Sequence, residues 1–348
     1  MTSAPADTQP LLRALGGERP DTRPVWFMRQ AGRSLPEYRE IRRGTGMIES
    51  CLMPDLAAEI TLQPVRRHRV DAAIFFSDIM VPLALAGVDV EIASGVGPVI
   101  AEPVRTASDV ARLVTHTLGD TSMITSAIAT ITAELGTTPS GTATWTPLIG
   151  FAGAPFTLAA YLVEGKPSRD HLAARAMMHA DPAAWAELME WCADLSGAFL
   201  AVQVDAGASA VQLFDSWAGA LRLSDYSARV APWSRRALAS VEGRVPRVHF
   251  GTGTGHLLEE MAQGADAVGI DYRTPLDEAA RRLPGTPLQG NIDPALLAAG
   301  WDALEEHALD VLARGAAAPG HVVNLGHGVP PETDPDVLTR LVERIHAA

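Results

Sequence analysis

Two arginines, Arg29 and Arg33, flank Gln30, Ala31 and Gly32 directly after the apolar run Pro24–Met28. A guanidinium grips a carboxylate through two parallel hydrogen bonds. Gln30 adds an amide that can both donate and accept. Arg39 and Arg42 follow soon after. The pattern points to recognition of a carboxylate-bearing ligand. The plain alternative is an exposed basic loop, because most charged side chains are simply solvated.

The charge balance favours the first reading. The chain carries 28 basic and 41 acidic residues, a net charge of −13. Residues 1–70 hold 11 Arg against 8 Asp or Glu, a net of +3, so the other 278 residues carry −16. A nucleic-acid partner wants a broad basic face, which this chain lacks. A small polyanion needs only a local patch. Of the 28 basic residues, 27 are Arg and one is Lys166. Schiff-base or pyridoxal chemistry would rest on that single amine, which sits in the turn-like run Glu164–Ser168.

Further residues that could do chemistry fall where apolar runs end. Ser77 and Asp78 follow Ile74–Phe76, Asp215 and Ser216 follow Leu213–Phe214, and Asp271 and Tyr272 follow Val268–Ile270. Asn291 and Asp293 follow Leu288–Gly290, and His327 follows Val322–Gly326. Any one of them could be a turn-former, and Asp293 before Pro294 reads as a helix cap. The run Gly251-Thr-Gly-Thr-Gly255 is a weak phosphate-loop signal, since no Gly-Lys-Ser/Thr follows it.

Eight short apolar runs are expected to be buried strands: Pro24–Met28, Asp71–Phe76, Thr146–Phe151, Ser209–Phe214, Arg247–Phe250, Ala267–Asp271, Pro287–Gly290 and Val322–Leu325. Helical segments are expected at Pro54–Arg67, Asp181–Asp205, Leu223–Ala239, Thr254–Gln263, Pro275–Arg282 and Pro294–Ala313. Eight strands with crossover helices predict an α/β fold, a single (β/α)₈ barrel with its cleft at the C-terminal strand ends. A doubly wound sheet is the runner-up. Residues 88–108 alternate like a small β-excursion after the second strand. One domain over residues 1–348 is expected, with about the first ten residues flexible.

Cys51 and Cys192 are too few for a disulfide framework or a cysteine zinc site, which points to a reducing cytoplasm. The N-terminus has no apolar signal-peptide core. Residues 135–163 carry no charge, but Pro139, Pro147 and Pro155 break the stretch, so no membrane span is expected.

The chain resembles the uroporphyrinogen decarboxylase family. The resemblance rests on Pro24–Glu40 with its Met-Arg-Gln-Ala-Gly-Arg core, Phe76–Ile79, Gly150–Thr157 leading to Tyr161, Phe214–Gly219, Gln289–Pro294 and Asn324–Gly328. It implies a (β/α)₈ barrel, a homodimer, and no metal or organic cofactor. The implied substrate is uroporphyrinogen III, a reduced tetrapyrrole with eight carboxylates. Its four acetate arms become methyls, giving coproporphyrinogen III and CO₂ on the route to heme. By the same resemblance Arg29, Gln30, Ala31, Gly32 and Arg33 form the carboxylate-binding loop, with Arg42 an outer contact. Asp78 faces the macrocycle centre. Tyr161, Ser216 and His327 are further substrate-binding positions. Asp78 and Arg29 are the implied catalytic pair, while the proton donor stays open between Arg29, a water and a substrate carboxyl. Ser34 and Pro330 depart from the family's usual residues, and Ser34 is expected to alter the cleft wall.

Two other functions compete. A zinc-dependent corrinoid or thiol methyltransferase of the same superfamily would need His and Cys ligands, and no His-x-Cys pattern is present. A non-catalytic tetrapyrrole-binding protein would share the arginine loop but have no need of Asp78 for turnover.

Overall fold

A computed structural model describes residues 9–93, 95–136 and 146–348. Seven parallel strands form one curled sheet in the order β1, β4, β5, β6, β7, β8, β9. They are β1 (Ala73–Ile74), β4 (Leu148–Gly153), β5 (Ala210–Asp215), β6 (Arg247–Gly251), β7 (Ala267–Gly269), β8 (Leu288–Gln289) and β9 (His321–Val322). Between the first two come β2 (Val90–Ala93) and β3 (Gly97–Ile100), an antiparallel hairpin that matches the expected excursion.

The eighth stave is the segment Pro24–Trp26. Val25 bridges Val323 in parallel, Val323 N–H donates to the Pro24 carbonyl at 2.8 Å, and Trp26 N–H donates to the Val323 carbonyl at 3.2 Å. On its other side Asp71 N–H donates to the Val25 carbonyl at 2.8 Å, and Val25 N–H donates to Asp71 Oδ2 at 2.8 Å. The sheet therefore closes on itself as a (β/α)₈ barrel. The expected strand shrinks to a bridge because its last residues leave the ladder to build the arginine loop.

Three expected helices are broken. Leu223–Ala239 is two helices, Leu223–Arg229 and Ala231–Ala239, because Pro232 restarts the helix after a non-helical Val230. Thr254–Gln263 begins as a 3₁₀ turn and is α-helical only over Leu258–Met261. Pro294–Ala313 splits at Gly300 (φ 94°) into a 3₁₀ turn, Pro294–Ala298, and a helix, Trp301–Gly315. The expected flexible N-terminus lies mostly outside the described residues, but Gln9 is buried and Pro10–Leu15 is already helix. Residues 137–145 of the uncharged stretch, Pro139 among them, also lie outside the described residues; from residue 146 on it gives β4 and the helix Pro155–Glu164. Among the described residues no helix is long and apolar enough to cross a membrane.

A column of polar side chains crosses the barrel interior. Trp26 Nε1 donates to Gln289 Oε1 at 3.0 Å, and Gln289 Nε2 donates to Gln212 Oε1 at 2.8 Å. Gln212 Nε2 in turn reaches Met28 Sδ at 3.7 Å. Each buried polar group but the last finds a strong partner, so the column does not incur the unpaired cost of roughly 1–3 kcal/mol per group. It ties opposite staves together just beneath the cleft that Met28 lines.

Candidate active site

The loop after the eighth stave is folded by its own glutamine. Gln30 is fully buried; its Oε1 accepts from Phe27 N–H at 3.0 Å and its Nε2 donates to the Ala72 carbonyl at 3.0 Å. Gln30 thus replaces ladder hydrogen bonds that the departing strand would have made. It was expected on the ligand side and instead holds the loop from within. Met28 is fixed from the far end of the chain: its N–H donates to Asn324 Oδ1 at 3.0 Å and its carbonyl accepts from Val329 N–H at 2.8 Å.

Between these anchors Arg29 adopts φ 61°, a left-handed conformation. For a residue with a side chain that costs on the order of 1–3 kcal/mol and is tolerated where the surroundings over-determine it. Two glycines make the space. A Cβ on Gly32 would meet the Arg29 carbonyl at 2.7 Å, and one on Gly328 would meet Arg29 Cδ at 2.4 Å. Both Arg29 and Arg33 are exposed, and neither guanidinium has a partner among the described residues. By contrast the neighbouring Arg42 is spent internally, donating to Tyr38 Oη at 2.7 Å, Ser50 Oγ at 3.0 Å and the Thr45 carbonyl at 3.0 Å.

These residues open on a cleft of about 930 Å³ at the C-terminal strand ends. Arg29, Ala31, Gly32, Arg33, Asp78, Ser216 and His327 all line it. Its floor is apolar: Phe151 meets Phe214 edge-on at 5.4 Å, and Phe214 meets Phe250 at 5.9 Å. The hairpin forms one wall through Ile92, Ala93 and Val96. Sequence reasoning did not assign these apolar residues or the hairpin to the site; no polar motif marks them, and only their positions near strand ends could have pointed there.

Asp78 follows β1 and its Oδ1 accepts from Met80 N–H at 2.9 Å. Burial raises its pKa, against the opposing effects of that hydrogen bond and of the Arg29 charge. Tyr161 is buried behind the cleft and is not among its lining residues. Burial pushes its phenol up to about 12, the Asp78 charge adds to this, and Arg29 opposes it, so the three groups share one field. His327 is held below its usual value by its crowded position in the cleft, then by the charges of Arg29 and Arg273, against Asp271. A neutral His327 beside Arg29 keeps a lone pair for a proton.

Of the other strand-end residues, Ser77 lines the cleft with its hydroxyl unpartnered among the described residues, while Asp215, Asp271 and Asn291 serve the scaffold. Asp215 is fully buried and accepts from Thr157 Oγ1 at 3.0 Å. Asp271 accepts from Gly253 N–H at 2.6 Å, and Asn291 Nδ2 donates to the Asp271 carbonyl at 2.8 Å. The glycine-rich run packs against Asp271 and Gly219, and its Thr252 lines the cleft. Asp293 caps its turn, as expected, by accepting from Ala295 N–H at 2.9 Å. Ser34 is buried, leaves its hydroxyl unpaired, and is not among the cleft-lining residues. Among the described residues no cluster of His, Cys, Asp or Glu is placed to hold a metal ion.

Unpaired arginines, a half-buried carboxylate and an apolar floor together give a (β/α)₈-barrel cleft suited to an anionic ligand with a large apolar body. The family model described as "Uroporphyrinogen decarboxylase (URO-D)" matches residues 6–348. The chain is 64% identical over 341 residues to the uroporphyrinogen decarboxylase of Arthrobacter sp. (strain FB24), covering 97% of this chain and 96% of that one. It is 61% identical over 360 residues to that of Leifsonia xyli subsp. xyli, covering 97% and 93%. A solved methyltransferase from Methanosarcina mazei shares the fold with a TM-score of 0.78 at 19% identity, covering 96% of each chain. The chain belongs to the uroporphyrinogen decarboxylase family.

Proposed function

We propose that this chain removes the four acetate carboxyls of uroporphyrinogen III as CO₂, giving coproporphyrinogen III in tetrapyrrole and heme biosynthesis. The relatives at 56–64% identity named uroporphyrinogen decarboxylase support this activity over the methyltransferase alternative. The single observation that carries the reading is the placement of Asp78 in the same cleft as two arginines without partners among the described residues.

The chemistry follows from charge. Losing CO₂ from a pyrrole acetate leaves an electron pair that needs a sink. Protonating the ring carbon makes the pyrrole a cation, so the substrate supplies its own sink. Asp78 is an acceptor with room for several pyrrole N–H donors, and its negative charge favours the cation most in a desolvated cleft. Arg29 and Arg33 hold carboxylates in two-point contacts, while Ser216 and Tyr161 supply hydroxyls for others. Ala31 and Gly32 keep the loop backbone close to the ligand. His327, kept neutral, takes up or passes a proton. The apolar floor Phe151–Phe214–Phe250 receives the macrocycle edge.

In this reading the chain works as one barrel domain, as a homodimer in the cytoplasm, with no metal or organic cofactor, nucleic acid or membrane partner. The test is turnover by protein dialysed against a strong chelator, with uroporphyrinogen III and nothing else added. Formation of coproporphyrinogen III supports the proposal. Binding without CO₂ release would make the chain a carrier, and activity recovered only with zinc would favour the methyltransferase chemistry.

A further inference from the structure

We propose that Trp217 and His171 are positioning residues for Tyr161, acting through a stack of three rings behind the cleft wall; the inference rests on the substrate-binding reading of Tyr161 given above. The Trp217 ring centre lies 3.8 Å from that of Tyr161 at 32°, and 4.2 Å from that of His171 at 19°. Trp217 is the middle ring. Tyr161 makes no side-chain hydrogen bond among the described residues, so its hydroxyl is free for a substrate carboxylate and its ring is placed by packing, with the Trp217 face its closest ring contact. The position of that hydroxyl in the field of Asp78 and Arg29 therefore depends on the indole.

The indole is itself fixed from two sides. Its backbone N–H donates to Thr157 Oγ1 at 3.4 Å, and Thr157 Oγ1 donates to the buried Asp215 at 3.0 Å. The preceding residue, Ser216, lines the cleft, and its carbonyl accepts from Thr252 Oγ1 at 2.5 Å. From the other side comes His171, 3% exposed, with Phe156 edge-on at 6.2 Å. His171 has φ 49°, and its buried Nδ1 has no partner. A left-handed backbone and an unpaired ring nitrogen both disfavour histidine as simple filler. The flat imidazole is retained where it can lie nearly parallel to the indole. Neither Trp217 nor His171 lines the cleft, so both act through Tyr161 and not on the ligand.

A double-mutant cycle tests this. Trp217→Leu keeps apolar bulk but removes the stack, and Trp217→Phe keeps a ring. Trp217→Leu is expected to lower kcat/KM about tenfold, the scale of a small misplacement of a binding group. Trp217→Phe is expected to stay within about twofold, because a ring still stacks. His171→Asn, whose side chain tolerates the left-handed backbone, should fall between them. In a Tyr161→Phe background, which lacks the hydroxyl, neither Trp217→Leu nor His171→Asn should lower kcat/KM further, although each still lowers the melting temperature. Full and equal losses in both backgrounds would overturn the positioning role, as would wild-type kinetics for Trp217→Leu. Unchanged kinetics of Tyr161→Phe alone would instead overturn the role of Tyr161 itself. Should Trp217→Leu not fold, the His171→Asn pair gives the same comparison.

Discussion

Gly328 exists in the shape it does for Arg29: a Cβ at position 328 would sit 2.4 Å from Arg29 Cδ and 2.8 Å from its Cγ. The two residues come from opposite ends of the chain and meet because Met28 and Val329 are joined by a 2.8 Å backbone hydrogen bond. Gly328→Ala is expected to push the guanidinium aside and lower kcat/KM about 10²-fold, as misplacement of a positioning group does. The melting temperature should fall only modestly, since the barrel ladder is untouched. Wild-type kinetics in this variant would show that Arg29 does not need this space.

Arg33 is expected to act on binding. Arg33→Ala should raise KM about tenfold, toward the low end for a lost charged hydrogen bond because the side chain is exposed. Arg33→Lys should rescue part of this, as an ammonium lacks the planar two-point contact. The wild-type KM should rise with salt, and less so in Arg33→Ala. Equal salt dependence in both proteins would make Arg33 an ordinary surface charge.

The C-terminal helix, Pro335–His346, is pinned to the barrel seam by His346, whose Nε2 lies 2.8 Å from Asp71 Oδ2. That hydrogen bond raises the His346 pKa above its usual value, with burial opposing and the Asp71 charge assisting. A raised folded-state value means the stabilisation is fully present below the unfolded pKa of about 6.5 and is lost as pH rises through the folded one. The melting temperature of His346→Gln should therefore fall further below wild type at pH 6 than at pH 9. An equal gap at both values would remove the charge from this account.

Much of this was legible in the sequence. Buried parallel strands are short continuous apolar runs, so all eight staves were visible; their exact ends were not, because Pro24–Trp26 and Ala73–Ile74 pair for only a few residues before their loops depart. Arg29, Arg33, Asp78, Ser216 and His327 reached one cleft because each follows a stave. Gln30 misled because an amide beside arginines looks the same whether it faces ligand or backbone. Trp217 and His171 were missed because ring stacking between a strand end and a helix start leaves no spacing pattern.

The central claim is that the charge of Asp78, and not its shape, drives the reaction. Burial raises the Asp78 pKa, so at neutral pH its ionised form costs folding stability, and removing the charge relieves that cost. The decisive measurement is single-turnover decarboxylation by Asp78→Asn beside its melting curve and its affinity for substrate. The account predicts a rate loss of about 10²–10³-fold, a melting temperature at or above wild type, and substrate still bound. A near wild-type rate in Asp78→Asn would contradict it.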